Sequence, residues 1–226
     1  MAPTYLRRRP GSPSNGRLGS ATSLLSIGDE PMTLSEADRK RALRQGALAR
    51  RHVLSSEARA ALSERLTHEG LRLASLWKPK VVSAFHPIQD EPDTLPLLAA
   101  LAGAGFATAL PVVAGRGRPL IFRLWRPGDP TSAGALGIAE PRPDALEVEP
   151  DLLFVPLACF DLRGHRIGFG AGHYDRTLER LRSIKPVHAV GVAYGVCEVA
   201  AVPYEAHDQP LDIVLTEQDT FSFGGP

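Results

Sequence analysis

The stretch RIGFGAGHYDRTLERL, from Arg166 to Leu181, has glycine at 168, 170 and 172. A Tyr174–Asp175 pair follows, then leucines at 178 and 181. The leucine spacing predicts an amphipathic helix, and the apolar run DLLFVPLACF upstream predicts a strand. A strand, a glycine loop and a helix N-terminus together make a place an anion can approach. Glycines leave no side chain between a ligand and the backbone N–H groups, and the helix end favours negative charge. Arg166 adds a planar cation suited to phosphate. The spacing is not the dinucleotide fingerprint, which has a further residue before its third glycine, and no Gly-Lys-Ser/Thr makes a P-loop. The residues alone allow two readings, a phosphate cradle and a tight turn between core elements. Asp175 bears on the choice. A carboxylate in a first helical turn often only complements the dipole, worth ~0.3–1 kcal/mol. Beside a phosphate it is repelled unless a cation lies between them, and Mg²⁺ shared by carboxylate and phosphate oxygens meets that need. A sugar-phosphate loop without metal is the alternative.

Two more constellations could carry chemistry. FHPIQDEPDT, Phe85 to Thr94, puts Asp90, Glu91 and Asp93 directly after a predicted buried strand, where open α/β sheets bind ligands. Capping by Asp93 with solvated neighbours explains the same residues. VPYEAHDQPLDIVLT carries His207 and Asp208 before the last predicted strand, as a reactive pair or as a polar turn. Lysine is scarce: only Lys40, Lys78, Lys80 and Lys185 occur. Lys40, Arg44 and Arg51 share one face of a predicted helix, with Leu43, Ala47 and Leu54 on another. A solvated basic face is the plain alternative there.

These residues need a scaffold. TLSEADRKRALRQGALARRHVL predicts a helix with a Thr33–Glu36 capping box. Ser55 or Ser56 caps a second helix with an apolar stripe at Leu62, Leu66, Leu73 and Trp77. Asp93 or Thr94 caps LPLLAALAGAG, which Gly103 and Gly105 end. VVSAF, FATALPVV, LIFRLW, DLLFVPLACF, HAVGVAY and DIVLT predict strands, and YDRTLERLRS a helix. Strands alternating with helices predict an α/β fold, three αβα layers around a largely parallel central sheet. The Pro- and Gly-rich stretch before Pro143 predicts antiparallel strands and loops.

The chain has 226 residues, 43% hydrophobic and 23% charged, with net charge +1, an ordinary composition that gives no case for a nucleic-acid partner. No apolar run approaches a membrane span. Cys159 and Cys197, the only cysteines, are too few for a zinc site and fit a reducing cytoplasm. Residues 1–31 are rich in Ser, Gly, Pro and Arg, without an acid before Asp29, and predict a disordered extension. A single domain is expected over 32–220, with a tail at 221–226, and Met32 is a candidate native start.

From about Thr33 to Glu217 the motifs KRALR, QDEPDT, GIAEP, VPLACFDLRGHRIGFGAGHYDR and PYEAHDQPLDIVLTE occur in an order that resembles the 5-formyltetrahydrofolate cyclo-ligase (methenyltetrahydrofolate synthetase) family. The resemblance implies a ribose-phosphate isomerase-like fold and an ATP- and Mg²⁺-dependent ligase. Such an enzyme cyclises 5-formyltetrahydrofolate to 5,10-methenyltetrahydrofolate through a phosphorylated formyl group, releasing ADP and phosphate. Arg166 and Asp175 would be catalytic, with Asp175 on the metal. Lys40, Arg44, Arg166, Gly168, Phe169, Gly170, Ala171, Gly172, His173 and Tyr174 would serve the nucleotide. Phe85 and Glu91 would serve the folate. Partners would be these small molecules, with no nucleic acid or membrane, and the protein a monomer. The loop departs from the pattern: relatives often read Gly-Tyr-Tyr-Asp, and some carry a cation where Phe169 or Ala171 stands. Arg176 is expected to supply part of that charge. A sugar-phosphate isomerase and a non-catalytic folate- or nucleotide-binding relative are the alternatives.

Overall fold

The structure, a computed structural model, describes residues 35–134 and 137–223. The expected extension at 1–31 and the capping Thr33 lie outside them. The first helix, α1 (Glu36–His52), is capped instead by Ser35, whose side chain accepts from Asp38 N at 3.1 Å. Ser55 caps α2 (Ser56–Trp77), accepting from Ala58 N. Strand β1 (Val81–Ser83) leads into the QDEPDT loop and α3 (Leu95–Gly103). At that helix start the two expected caps divide the work. Asp93 Oδ1 accepts from Leu95 N at 3.0 Å, while the Thr94 hydroxyl turns inward and donates to Phe85 O. Strands β2 (Ala107–Val112) and β3 (Ile121–Leu124) form a hairpin. The Pro- and Gly-rich region holds β4 (Thr131–Ala133) and β5 (Ala139–Pro141), paired antiparallel, and then β6 (Glu147–Val148).

The run DLLFVPLACF is two strands rather than one. Strand β7 (Leu152–Pro156) pairs with its neighbours up to Pro156, which has no N–H to extend a ladder. The chain then leaves the sheet, and β8 (Cys159–Phe160) pairs with β9 (Arg166–Ile167) in a separate hairpin. That hairpin delivers the glycine loop to α4 (His173–Arg182). Strand β10 (His188–Val192), a 3₁₀ turn at Gly195–Cys197, β11 (Ile213–Leu215) and β12 (Thr220–Ser222) complete the chain. Strand β12 pairs with β11 and carries the sheet into what the sequence reads as a tail.

The eight-stranded sheet runs β12-β11-β10-β7-β1-β2-β3-β6, with β11, β10, β7, β1 and β2 mutually parallel and antiparallel strands at both edges. From β1 the chain crosses through α3 to β2. From the adjacent β7 it crosses through α4 to β10, in the opposite direction. Right-handed crossovers of opposite travel put their helices on opposite faces, which makes the three layers. Helix α2 lies with α3, close enough that a Cβ on Gly70 would stand 2.4 Å from Leu97 Cδ1 and 3.1 Å from Phe154 Cζ. The core is a single apolar cluster including Leu62, Leu66, Leu97, Phe122, Phe154, Leu178 and Val190. A smaller cluster of Ala47, Cys159, Ile167 and Val202 fastens α1 to the β8–β9 hairpin. Among the described residues no helix is long and apolar enough to cross a membrane.

Candidate active site

The crossovers diverge between β1 and β7, so the loops leaving those strands meet at the carboxyl edge of the sheet, the usual ligand crevice of such folds. One of these loops carries Glu91, the other the glycines.

In the glycine loop, Gly170 and Gly172 adopt φ of 97° and 63°, which side chains disfavour. Gly172 is the N-cap of α4 and has no capping side chain. Arg176 braces the carbonyls of the turn from within the helix, leaving the N–H groups uncapped by a side chain: its Nη1 donates to Ala171 O at 3.0 Å and to Gly172 O at 2.9 Å. His173 fixes the loop from the other side, a ring nitrogen lying 2.9 Å from Arg118 O. Phe169 is 46% exposed. Beneath the loop, the Arg166 side chain is enclosed, and both terminal nitrogens are committed. Nη2 donates to Asp175 Oδ1 at 2.7 Å and Nη1 to Gln209 O. Gln209 N donates to the same Asp175 oxygen at 3.1 Å. The carboxylate that the sequence left facing a phosphate alone thus has a protein cation behind it. Arg166 holds Asp175 rather than forking outward. Among the described residues no hydrogen bond reaches Asp175 Oδ2. One free carboxylate oxygen beside a glycine loop fits a Mg²⁺ that takes its remaining ligands from phosphate and water.

Helix α1 lies across these loops, and its basic face is not solvated. Arg44 Nε donates to Gly168 O at 2.7 Å, and a Cβ on Gly170 would stand 3.5 Å from Arg44 Nη2. Lys40 Nζ reaches Asp208 Oδ2 at 2.9 Å and Glu205 Oε2 at 3.5 Å. Burial works against its charge, but Asp208 and Glu205 outweigh it and hold the Lys40 pKa above the usual lysine value. This gives the HD segment a part the sequence did not reveal: Asp208 secures Lys40, while His207 stays exposed. Arg50 Nε donates to Val196 O at 2.6 Å. Arg51, 3% exposed, pairs through Nη2 with Asp90 Oδ1 at 2.7 Å. Its guanidinium carbon lies 5.8 Å from the centre of the Phe169 ring.

On the β1 side, Glu91 is 9% exposed and accepts from Ile88 N at 3.1 Å. Burial pushes its pKa up to about 7, against the opposing pull of the Ile88 N–H and Arg51. It lines a cleft of about 510 Å³ with Arg59, Ser63, Thr67, Gln89, Pro96 and Tyr194, among others. Arg59 binds Asp90 O at 2.8 Å and lies over the Tyr194 ring. Tyr174 feels charges from both halves. Its hydroxyl is held un-ionised by burial and then by the charge of Glu91, while Arg166 pulls the other way.

The structure therefore brings Lys40, Arg44, Arg166, Tyr174, Asp175, the glycine loop and Glu91 to one end of the sheet. Phe85 is the exception: only 3% exposed, it belongs to the core and not to the lining of the cleft. Sequence reasoning missed Arg59 and Tyr194 altogether and gave Arg51 no role. The one available signal was that Arg51 falls on the Lys40–Arg44 face.

Residues 36–217 match the model of the 5-formyltetrahydrofolate cyclo-ligase family. The 5-formyltetrahydrofolate cyclo-ligase of Escherichia coli strain K12 is 33% identical over 175 residues, covering 74% of this chain and 94% of the relative. That of Mycolicibacterium smegmatis is 33% identical over 187 residues, covering 78% and 93%. The solved structure of Aquifex aeolicus 5,10-methenyltetrahydrofolate synthetase superposes with a TM-score of 0.69 at 32% identity, covering 83% of this chain and 94% of that one.

Proposed function

The chain belongs to the 5-formyltetrahydrofolate cyclo-ligase family, and we propose that it converts 5-formyltetrahydrofolate and ATP to 5,10-methenyltetrahydrofolate, ADP and phosphate. The observation that carries this reading beyond family membership is the meeting of a glycine loop backed by Arg44 with an acid-bearing cleft at one switch point. A nucleotide and a pterin bound there face each other. Membership replaces the sugar-phosphate isomerase alternative.

The chemistry asks for alignment and charge neutralisation more than for covalent help. The N5-formyl oxygen is an amide oxygen and leaves poorly. Transfer of the γ-phosphoryl group to it, with ADP departing, yields an iminium phosphate. N10 then attacks the formyl carbon and loses its proton, and the C–O bond breaks with phosphate as leaving group. The methenyl cation remains. In this reading the backbone of Gly168–Tyr174, with Lys40 and Arg44, takes the polyphosphate. Asp175, steadied by Arg166, would hold Mg²⁺, which supplies charge neutralisation on the phosphates. Glu91 accepts hydrogen bonds from the pterin, and Phe85 shapes the β1 loop from the core side.

The two halves separate in calorimetry. Glu91→Gln is expected to weaken 5-formyltetrahydrofolate binding about tenfold and leave a non-hydrolysable ATP analogue unaffected. Lys40→Ala and Arg44→Ala are expected to do the reverse. Equal losses of both ligands in either variant would contradict the division.

A further inference from the structure

Arg51 has no part in the reading so far, yet its surroundings are unusual. Its side chain is almost wholly enclosed, and one nitrogen, Nη2, is paired with Asp90. Among the described residues, Nε and Nη1 are buried without any hydrogen-bond partner. Buried polar groups are nearly always satisfied, and a charged donor left unpaired is costlier than a neutral one. A guanidinium with two idle donors is therefore stored in the protein for something that is not protein. Its position says what. Asp90, which it grips, is the residue before Glu91, and the ring it underlies, Phe169, is in the glycine loop between Gly168 and Gly170. No other cation among the described residues both pairs with the Glu91 loop and underlies the glycine loop. Arg44 is bound to Gly168 O and Lys40 to acids at the far end of α1. Arg176 is tied to its own helix start.

We propose that Arg51 is a catalytic residue whose Nε and Nη1, covered beneath the half-exposed Phe169 ring, are uncovered when that ring turns aside and then contact the phosphoryl group as it passes from the nucleotide to the formyl oxygen. The proposal rests on the function given above. Negative charge on the transferring group lies between its donor and its acceptor, and Arg51 touches both the loop given to the nucleotide and the loop given to the folate. A planar cation with two free donors, fixed by Asp90 and enclosed from water, is pre-organised for it.

The test compares Arg51→Gln, Arg51→Lys and Asp90→Asn with the unaltered protein, following the methenyl chromophore and melting temperature. Arg51→Gln is expected to lower kcat by about 10²-fold, with KM for ATP and for the folate changed less than threefold. Asp90→Asn removes the charge from the same pair but keeps an amide oxygen that can accept from Nη2 and leaves the two idle donors in place, so the fall in kcat is expected to be at least tenfold smaller than in Arg51→Gln. If Arg51 serves only to hold the β1 loop, the two variants lose activity alike, and the proposal fails. Arg51→Lys keeps the charge and the Asp90 pairing but lacks the fork, and is expected to lose at least tenfold in kcat. Should the glutamine variant not fold, the lysine variant decides: unchanged kcat overturns the role. Unaltered protein that forms no methenyl product overturns the function and the role with it, whereas normal turnover with unimpaired Arg51 variants overturns the role alone.

Discussion

Glu91 carries the most informative single-residue consequence. Its pKa rises from an ordinary 4.5 to about 7, because burial disfavours the carboxylate. A raised folded-state pKa contributes stability that is fully present below the unfolded value and is lost as pH climbs through the folded one. The unaltered protein is thus expected to lose ground to Glu91→Gln between about pH 4.5 and 7. At pH 8 the variant should melt several degrees higher, and near pH 4 the two should coincide. A difference independent of pH would contradict this. Folate binding should oppose the burial: if the pterin donates to the carboxylate, binding favours ionisation, and affinity strengthens as pH rises through 7. Asp208 makes a separate prediction. It raises the Lys40 pKa and holds the ammonium in one place through a 2.9 Å ion pair. Asp208→Asn is expected to raise KM for ATP about three- to tenfold with little effect on KM for the folate, which steady-state kinetics will read. The scarce Lys40 and the oddly placed Asp175 drew notice by residue type, whereas Arg44 and Glu91 were singled out from their clusters by the family resemblance. Neither signal announced which charges pair. Arg166 with Asp175 is separated by nine positions and Lys40 with Asp208 by 168, distances that only the fold closes.

At the scale of elements, α1 is a strap that fixes four loops: Gly168 through Arg44, Asp90 through Arg51, Val196 through Arg50 and Asp208 through Lys40. Its basic spacing was legible, and its burial was not, because a helix face turned to polar loops reads in sequence like one turned to water. The break after Pro156 was missed for a similar reason: Leu157 to Phe160 stay buried and apolar after leaving the sheet. The α2–α3 contact gives the test at this scale. Replacing a mid-helix glycine by alanine ordinarily gains ~0.5–1 kcal/mol. At Gly70 the new Cβ would meet Leu97 and Phe154 well inside contact distance, and overpacking of that kind costs about 1–3 kcal/mol. The clash wins, so Gly70→Ala is expected to melt a few degrees lower with kinetic constants unchanged. A higher melting temperature would mean that the helices separate more easily than the packing implies.

For the molecule as a whole, the sheet order is what turns scattered motifs into one site. The alternation of strands and helices foretold a parallel α/β fold, and the order of motifs foretold the family. Neither foretold that β1 and β7 would be neighbours with crossovers diverging from between them, since strand order leaves no mark on local periodicity. That adjacency sets the Glu91 cleft against the glycine loop, and the account stands or falls on the two halves working together. The direct measurement is the absorbance of the methenyl product after mixing the protein with 5-formyltetrahydrofolate and Mg²⁺, with and without ATP, alongside ADP and phosphate determination. Product is expected only when ATP is present, with one ADP and one phosphate formed per methenyl group. Product without ATP, ATP consumption without product, or no reaction under conditions where both ligands bind would contradict it.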